Sequence, residues 1–376
     1  MDRKEERHIE YLFNALFVKS GREEYLDIVN STNQRFYIPY KSVGLGLVLY
    51  HPSRMKGKLI KFFLPIIKHS TLLLSKLGFK RIRLNASPFL YNTFASLFPD
   101  KKLDIAVFCG TPGIHRKITV QISHRKKILA YAKISNQSEV KVLFNRESEF
   151  LRILREKHIE SIPQVLLQKE FASGISVFIQ SAVKKGRSLC GIRDEQLIWS
   201  FLSELQEKTA VTIPFAASGY YDDLQQLKEL ISKYSLKESA ILENAITEVE
   251  TFFSTHNVSY SVYHGDLTPW NMYFHQDKLY VFDWEYAEQT YPPFLDYFHY
   301  FTQCAFYERR WDAARIIQRF NEQKGAVQKY VSHPSIYYKA YLLAIIQFYI
   351  GRDKDSSKGS LQTNYNNRIN LLTLID

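Results

Sequence analysis

The sequence predicts an α+β fold with two lobes, a small strand-rich lobe followed by a larger helical lobe, and an extra α/β region before them. Short apolar runs alternate with turn residues after Lys101, whereas apolar residues recur at helical spacing beyond Lys184. A strand-like pair, MYFHQDKLYVFDW, interrupts the helical part at Met272. The predicted domains are an N-terminal extension of unknown role at 1–100, a strand-rich lobe at 101–183 and a helical lobe at 184–376.

The composition is that of a folded protein with an excess of positive charge, most of which we expect on a solvated surface. The chain has 376 residues, of which 45% are hydrophobic and 23% charged, which suits two or three structural units with a sizeable core. A net charge of +12 favours nucleotides, phosphorylated sugars, nucleic acid or an anionic membrane surface. Three cysteines without a CxxC pair give neither a disulfide framework nor a zinc site, so we expect a reducing cytoplasm.

The extension contains two predicted strands and one unusual helix. QRFYIPYKS and GLGLVLYHP predict strands, and the stretch Lys56–Lys80 predicts a helix. Interior lysines and Pro65 exclude a transmembrane span. The helix either lies against a membrane surface or docks on the core with its lysines outward, and the second orientation is our expectation.

The strand-rich lobe has a clear order of elements. LDIAVFCGTPGIHRKITVQISHRKKILAYAKIS predicts three consecutive strands with two turns. SEVKVLFNRESEFLRIL has apolar residues at helical spacing, and Pro163 follows it. QVLLQKEF and GISVFIQSAV predict a strand pair that turns at Gly174. Between a small sheet lobe and a helical lobe we expect a ligand-binding cleft.

Three polar residues stand in an apolar background in the helical lobe. Asp266 and Asn271 are five residues apart in VYHGDLTPWNMYF, and Asp283 follows the next hairpin in YVFDWEYA. Phosphoryl transfer needs a carboxylate that orients or deprotonates the attacking hydroxyl and hard oxygen ligands for magnesium. This spacing is typical of a kinase catalytic loop and its metal-binding segment. The sequence therefore predicts Asp266 as the base and Asn271 with Asp283 as ligands of Mg²⁺.

HGDLTPWN followed by VFDWEYA resembles the aminoglycoside phosphotransferase and choline kinase family, which has a protein-kinase-like fold. The resemblance covers about 103–301 and implies ATP and Mg²⁺ as cofactors and a small-molecule hydroxyl as acceptor. The family carries a supporting aspartate after a proline, which YPPFLDYFHYF supplies as Asp296. In this motif the histidine, here His264, braces the loop and is not the base.

Three aromatic or acidic neighbours of the motif are less specific. Trp270 and Trp284 are expected to pack the loop and not to touch substrate. Glu285 either helps to hold magnesium-bound waters or a cationic substrate, or is a solvated or bracing residue. The sequence leaves both interpretations of Glu285 open.

The resemblance also implies an ATP clamp in the strand-rich lobe. Lys133, at the end of the third predicted strand, would contact the α- and β-phosphates. A helix glutamate would hold that lysine. Glu147 fits the family pattern better than the alternative, Glu149, and one helical step decides which of them faces inward.

Backbone groups would complete the nucleotide site. The turn CGTPG would cover the phosphates through Gly110, Thr111 and Gly113, although it is not a GxGxxG motif and its proline removes one donor. In VFIQSAVKKG the hinge would present backbone groups to adenine. The hinge residues are Gln180, Ser181 and Val183.

The predicted function is ATP- and Mg²⁺-dependent phosphorylation of a small hydroxylated molecule. The positive charge disfavours polycationic aminoglycosides, so we expect a sugar or glycan-related acceptor. The basic stretch Lys56–Lys80 suits a membrane-proximal acceptor and peripheral membrane association. The alternatives are a pseudokinase that binds nucleotide or a partner without transfer, and a nucleic-acid binder, which only the charge suggests.

Overall fold

The computed structural model describes residues 3–30, 32–50, 55–113, 115–182, 195–234, 236–275, 278–352 and 360–376. As far as they are described, the residues form two units. The first comprises Met1–Ser148 and Pro163–Lys185, and the second comprises Glu149–Ile162 and Gly186–Asp376. Each unit mixes helices and strands, which confirms the predicted α+β class.

An eight-stranded antiparallel sheet organises the first unit. Its spatial order is β3-β1-β2-β4-β5-β6-β8-β7. The strands are β1 Phe17–Val29, β2 Arg35–Pro39, β3 Lys80–Ala86, β4 Leu103–Phe108, β5 Ile118–His124, β6 Lys127–Ser135, β7 Val165–Glu170 and β8 Ser176–Ser181.

The sheet runs through the predicted boundary at residue 100. Strand β2, from the extension, pairs with β4, and Phe36 stacks on Phe108 with ring centroids 4.6 Å apart. Three strands of the extension therefore prolong the sheet of the strand-rich lobe. The division of the chain into domains at residue 100 stays a prediction.

Alternating side chains give the sheet two apolar faces. Residues such as Tyr37 and Val107 pack under α1 (Arg3–Leu16) and α5 (Pro88–Leu97). Their neighbours in sequence, such as Ile38 and Ala106, point the other way, as the two-residue period of a strand requires. Three helices pack on this second face. They are α2 (Val43–Gly46), α3 (Met55–Ile67) and α4 (Thr71–Lys76).

Two expectations for the extension need correction. Residues 44–50 of GLGLVLYHP do not form a strand, and residues 44–46 belong to the helical turn α2, because a continuous apolar run fits either structure. Helix α3 buries Leu64 yet exposes Phe62, while Lys61 and Lys68 donate to backbone carbonyls. Lys61 and Lys68 thus do not face outward as we expected, whereas Lys58 and Lys76 are exposed, in line with the expectation.

The order of elements from residue 101 onward confirms the prediction. Three strands precede α6 (Ser138–Glu156), and the pair β7–β8 turns at Gly174, whose φ is +77°. Helix α6 contributes its first part to the first unit and its last part to the second.

The second unit is mainly helical. The helices that follow α6 are α7 Glu195–Thr209, α8 Gly219–Tyr234, α9 Ser239–Thr255, α10 Leu295–Gln303, α11 Ala313–Val327, α12 Pro334–Arg352 and α13 Ser360–Leu372. Helix α12 is buried nearly all round and forms the centre of this unit. Among the helices of the described residues, none combines the length and apolarity that a membrane crossing requires.

Two small antiparallel strand pairs carry the polar motif. Strand β9 (Ser261–Tyr263) pairs with β12 (Glu288–Tyr291), and β10 (Met272–His275) pairs with β11 (Lys278–Val281). The second pair confirms the predicted hairpin. The chain between β9 and β10 is the loop 264–271, which we call the acidic loop.

Candidate active site

One buried carboxylate holds the start of the acidic loop. The backbone N–H groups of His264 and Gly265 donate to Asp296, to Oδ2 at 2.8 Å and to Oδ1 at 3.1 Å. Asp296 lies in the first turn of α10 and is buried. Burial raises the pKa of this carboxyl to about 7, although the two N–H donors act in the opposite direction. Asp296 therefore lies directly behind the loop.

The buried imidazole of His264 is a brace. Its Nδ1 accepts from the backbone N–H of Asp266 at 3.1 Å, so the ring proton resides on Nε2, which donates to the carbonyl oxygen of Phe282 at 3.1 Å. Burial lowers the pKa of His264 to about 4. A neutral ring with both nitrogens engaged holds the loop against the segment after β11.

Only glycine fits at position 265. Its φ is +79°, and a Cβ built there would lie 2.4 Å from the carbonyl oxygen of Tyr286. An L side chain is strained at this φ even in open space. The glycine of the motif thus lets the loop turn between the brace and Asp266.

The carboxylate of Asp266 is oriented by two side chains. Oδ2 accepts from Asn271 Nδ2 at 2.8 Å, and the same amide donates to the backbone oxygen of Asp266 at 3.0 Å. Oδ1 lies 3.3 Å from His299 Nε2. The Asp266 side chain keeps 31% of its surface exposed. It is therefore a fixed hydrogen-bond acceptor with access to solvent.

Sequence reasoning missed His299. The residue lies one helical turn after Asp296 on α10 and is buried, and burial lowers the pKa of its imidazole despite the neighbouring Asp266 carboxylate. Gln303 Nε2 is 3.3 Å from the same ring nitrogen. The available signal was the i, i+3 spacing, which places His299 and Asp296 on one helix face.

The hairpin β10–β11 brings Asn271 and Asp283 together. The N–H of Phe282 donates to the backbone oxygen of Asn271 at 3.0 Å. Asp283 has a φ of +73°, which is uncommon for a residue other than glycine and is frequent at functional sites. A carboxylate oxygen of Asp283 lies within 4.8 Å of one of Glu285. Glu285 is buried, which excludes the interpretation as a solvated residue.

This donor set fits magnesium. Because the amide nitrogen of Asn271 is engaged with Asp266, its carbonyl oxygen is the group left for a cation. Together with the carboxylates of Asp283 and Glu285 it offers hard oxygen ligands.

The two tryptophans near the acidic loop differ in burial. Trp284 is fully buried, and its ring centroid lies 4.5 Å from that of His264, as expected of a packing residue. Trp270 is 48% exposed and meets Tyr307 only edge-on, at 6.1 Å. The expectation that Trp270 packs the loop was therefore wrong.

In the first unit, Lys133 forms an ion pair with Glu147. Lys133 Nζ on β6 lies 2.5 Å from Glu147 Oε2 on α6, and both side chains are buried. Glu149 is exposed. A buried pair is costly to desolvate, so this ion pair is weak evidence for stability.

The predicted phosphate turn is shaped by its backbone. Gly110 has a φ of +75°, and a Cβ there would lie 2.4 Å from the carbonyl oxygen of Lys117, whereas Gly113 has a φ of +151° and open space around it. The N–H of Arg116 donates to the Gly113 oxygen at 3.0 Å. Thr111 Oγ1 accepts from Gln34 Nε2 at 2.8 Å, so the extension contacts the turn.

The predicted hinge residues lie at the end of β8. Gln180 pairs opposite Tyr131, and the N–H of Ser181 donates to Gln164 at 2.8 Å. Their contact with adenine stays a prediction. Val183 lies outside the described residues.

The sequence matches no protein-family model and no curated protein. In structure, the chain is similar to a choline kinase from Streptococcus pneumoniae at 16% identity, with a TM-score of 0.52 over 76% of this chain and 98% of the other. It is also similar to an aminoglycoside 2'-phosphotransferase in its GDP complex (15% identity, TM-score 0.48, 76% and 98% of the chains). A third match is an aminoglycoside phosphotransferase bound to streptomycin and ATP, at 15% identity, with a TM-score of 0.47 over 76% of this chain and 96% of the other. The likeness to the choline kinase shows that the chain has the predicted protein-kinase-like fold.

Proposed function

We propose that this protein is an ATP- and Mg²⁺-dependent phosphotransferase that phosphorylates a hydroxyl of a small molecule. The observation that carries the proposal is the carboxylate of Asp266. It is aimed by Asn271 and His299, remains open to solvent and sits on a loop that Asp296 clamps. In a protein-kinase-like fold, this is the geometry that a base for a hydroxyl acceptor requires.

Asp266 would accept the hydrogen bond of the substrate hydroxyl. As the hydroxyl oxygen attacks the terminal phosphoryl group of ATP, the hydroxyl proton passes to the carboxylate and ADP leaves. The two donors on Asp266 fix the carboxylate before substrate arrives, so little reorganisation accompanies the reaction.

Asn271 and Asp283 would hold the magnesium ion, and the buried Glu285 is a candidate for a further contact. When bound, the metal supplies charge neutralisation between the phosphates. The nucleotide would contact Lys133, which Glu147 orients, and the backbone of Gly110, Thr111 and Gly113. Adenine would meet the backbone at the hinge residues Gln180, Ser181 and Val183.

For the acceptor we propose a sugar or a glycan intermediate. The excess of positive charge, +12, supports a neutral or anionic acceptor and disfavours a polycation. A lipid-linked glycan would place the reaction at a membrane surface, and peripheral association there is part of the proposal. The sparse cysteines support a reducing, cytoplasmic compartment.

The test is transfer of labelled terminal phosphate from Mg-ATP to a panel of sugars, amino alcohols and aminoglycosides. Asp266→Asn removes the base, so we expect turnover to fall by about 10²–10⁴-fold while nucleotide affinity is retained. Asp222→Asn, at an exposed aspartate of α8, is the matched control. Unchanged turnover in Asp266→Asn would sink the assignment. Nucleotide binding without transfer to any acceptor would favour the pseudokinase alternative.

A further inference from the structure

Helices α3 and α4 expose several large apolar side chains. We call this part of the two helices the α3–α4 surface and define it by side chains that are 42–69% exposed, namely Leu59, Phe62, Phe63, Ile66, Leu72 and Leu73. Single exposed apolar residues are ordinary, but six large ones on two successive helices are not. Such a patch marks a surface that another body covers.

Helices α3 and α4 are firmly packed on the sheet, so detachment of the helices does not explain why this surface is exposed. On the opposite side of the same helices, Leu64 and Leu74 are buried in the core cluster of the sheet, where Ile60 and Ile67 also pack. The helices are therefore anchored through one apolar face and present a second one to solvent.

Two lysines that would make this face polar are turned toward the protein. Lys61 Nζ donates to the backbone oxygen of Tyr50 at 2.5 Å, and Lys68 Nζ donates to that of Tyr40 at 2.9 Å. Lys61 and Lys68 are thus bonded toward the protein, while the phenyl rings of Phe62 and Phe63 face outward.

The charged residues of this segment have one sign. Residues 55–80 contain six lysines and no Asp or Glu. Among them, Lys58 on α3 and Lys76 on α4 are exposed beside the apolar side chains. A second copy of this chain seated on the surface through two-fold symmetry would bring these lysines against their own equivalents, which is unfavourable.

We propose that the α3–α4 surface docks the protein on an anionic phospholipid bilayer. The phenyl and aliphatic groups enter the boundary between headgroups and acyl chains, and the lysines contact the anionic headgroups. This surface lies entirely within the first unit, and its binding does not depend on phosphoryl transfer.

The experiment is sedimentation of the purified full chain with vesicles. We expect binding to an equal mixture of phosphatidylcholine and phosphatidylglycerol, weak binding to phosphatidylcholine alone, and a loss of binding at high salt. The double variant Phe62→Ser, Phe63→Ser should lower the partition coefficient by about tenfold or more. Lys58→Gln, Lys76→Gln should lower it by about 10- to 30-fold, which is what two lysines near an anionic surface contribute.

The matched control is Val142→Ser, which alters an apolar residue of the first unit that is 59% exposed on α6. Its binding should equal that of the unaltered protein. A second variant, Leu72→Ser, Leu73→Ser, tests the same surface on the other helix. Far-ultraviolet circular dichroism should show the same fold for all variants, because every altered side chain is exposed.

Three results would overturn the proposal. The first is absence of binding to the mixed vesicles. The second is vesicle binding that both double serine variants retain. The third is a dimer in solution that Phe62→Ser, Phe63→Ser dissociates without any vesicle binding, which would assign the surface to a second copy. Failure of the kinase assay with intact vesicle binding would contradict only the proposed function.

Discussion

The acidic loop and the phosphate turn are both proposed to act on phosphate, yet they are built differently. In the loop, side chains make the structure: Asp296 holds two backbone N–H groups, and Asn271 and His299 hold Asp266. In the turn, the backbone makes it: Gly110 adopts a positive φ against the carbonyl oxygen of Lys117. Both need a glycine, at 265 and at 110. The loop has in addition a definite spacing of polar residue types, which the turn lacks.

The largest expected effect is on the side-chain clamp of the loop. Asp296→Ala leaves the N–H groups of His264 and Gly265 buried without their acceptor, so the free energy of unfolding should fall by about 3 kcal/mol. Gln34→Ala removes the exposed contact with Thr111 in the turn and should change the free energy of unfolding by less than about 0.5 kcal/mol. Urea unfolding measures both. Equal values for the two variants would contradict the difference between loop and turn.

The pH dependence of stability sharpens the account of the clamp. Burial raises the pKa of Asp296 from 3.8 to about 7, so between these values the folded chain keeps a proton that the unfolded chain releases. The free energy of unfolding of the unaltered protein relative to Asp296→Asn should therefore fall, by on the order of 3 kcal/mol, as pH rises from 4 to 7, and level off above.

His264 acts in the opposite direction. Burial lowers its pKa from 6.5 to about 4, so its contribution is lost as pH falls through that interval. The comparison with Asp296→Asn cancels this contribution because both proteins keep His264. A difference in stability that rises with pH would show that Asp296 is ionised in the folded chain throughout.

Three glycines with nearly the same φ compare the two regions directly. Gly265, Gly110 and Gly174 have φ values of +79°, +75° and +77°, but a Cβ meets a carbonyl oxygen at 2.4 Å only in the first two. We expect Gly265→Ala to lower turnover about tenfold with nucleotide affinity retained, and Gly110→Ala to lower nucleotide affinity by a similar factor. Gly174→Ala is the control, because it introduces the strain of a positive φ without a clash between the Cβ and a carbonyl oxygen.

Steady-state kinetics and nucleotide titration separate these effects. Loss of nucleotide affinity in Gly265→Ala, with an unaffected Gly110→Ala, would reverse the roles assigned to loop and turn. A change in Gly174→Ala as large as in the other two would show that general strain, and not position, is responsible.

The difference between side-chain and backbone specification also determines which parts of the fold and of the site can be predicted from the sequence. The strand and helix order after residue 101 and the hairpin β10–β11 followed from the spacing of apolar and turn residues. The protein-kinase-like fold was implied by the resemblance of HGDLTPWN and VFDWEYA to a known family. The orientation of helix α3 did not follow from the sequence. Periodicity shows that a helix has two faces, but it does not show which face packs against the protein. His299 was also missed, because a histidine within an aromatic helix fits a packing role equally well.

His299 gives the smallest expected effect and the finest test of the loop. We propose it as a positioning residue, since its Nε2 lies 3.3 Å from Asp266 Oδ1 while Asn271 holds the other oxygen. His299→Leu should lower kcat several-fold, up to about tenfold, with little change in KM, because Asp266 keeps one donor of two. His299→Gln retains an amide donor and should restore part of the loss.

The restored fraction separates positioning from packing. A purely structural role would make both variants lower the free energy of unfolding and kcat together, with no advantage of Gln over Leu. A selective recovery of kcat in His299→Gln, at equal stability, requires that the donor itself matters. That outcome would show that His299 on α10 supports the Asp266 carboxylate as a second hydrogen-bond donor. Asp296 and His299, one turn apart on the same helix, would then both position the acidic loop.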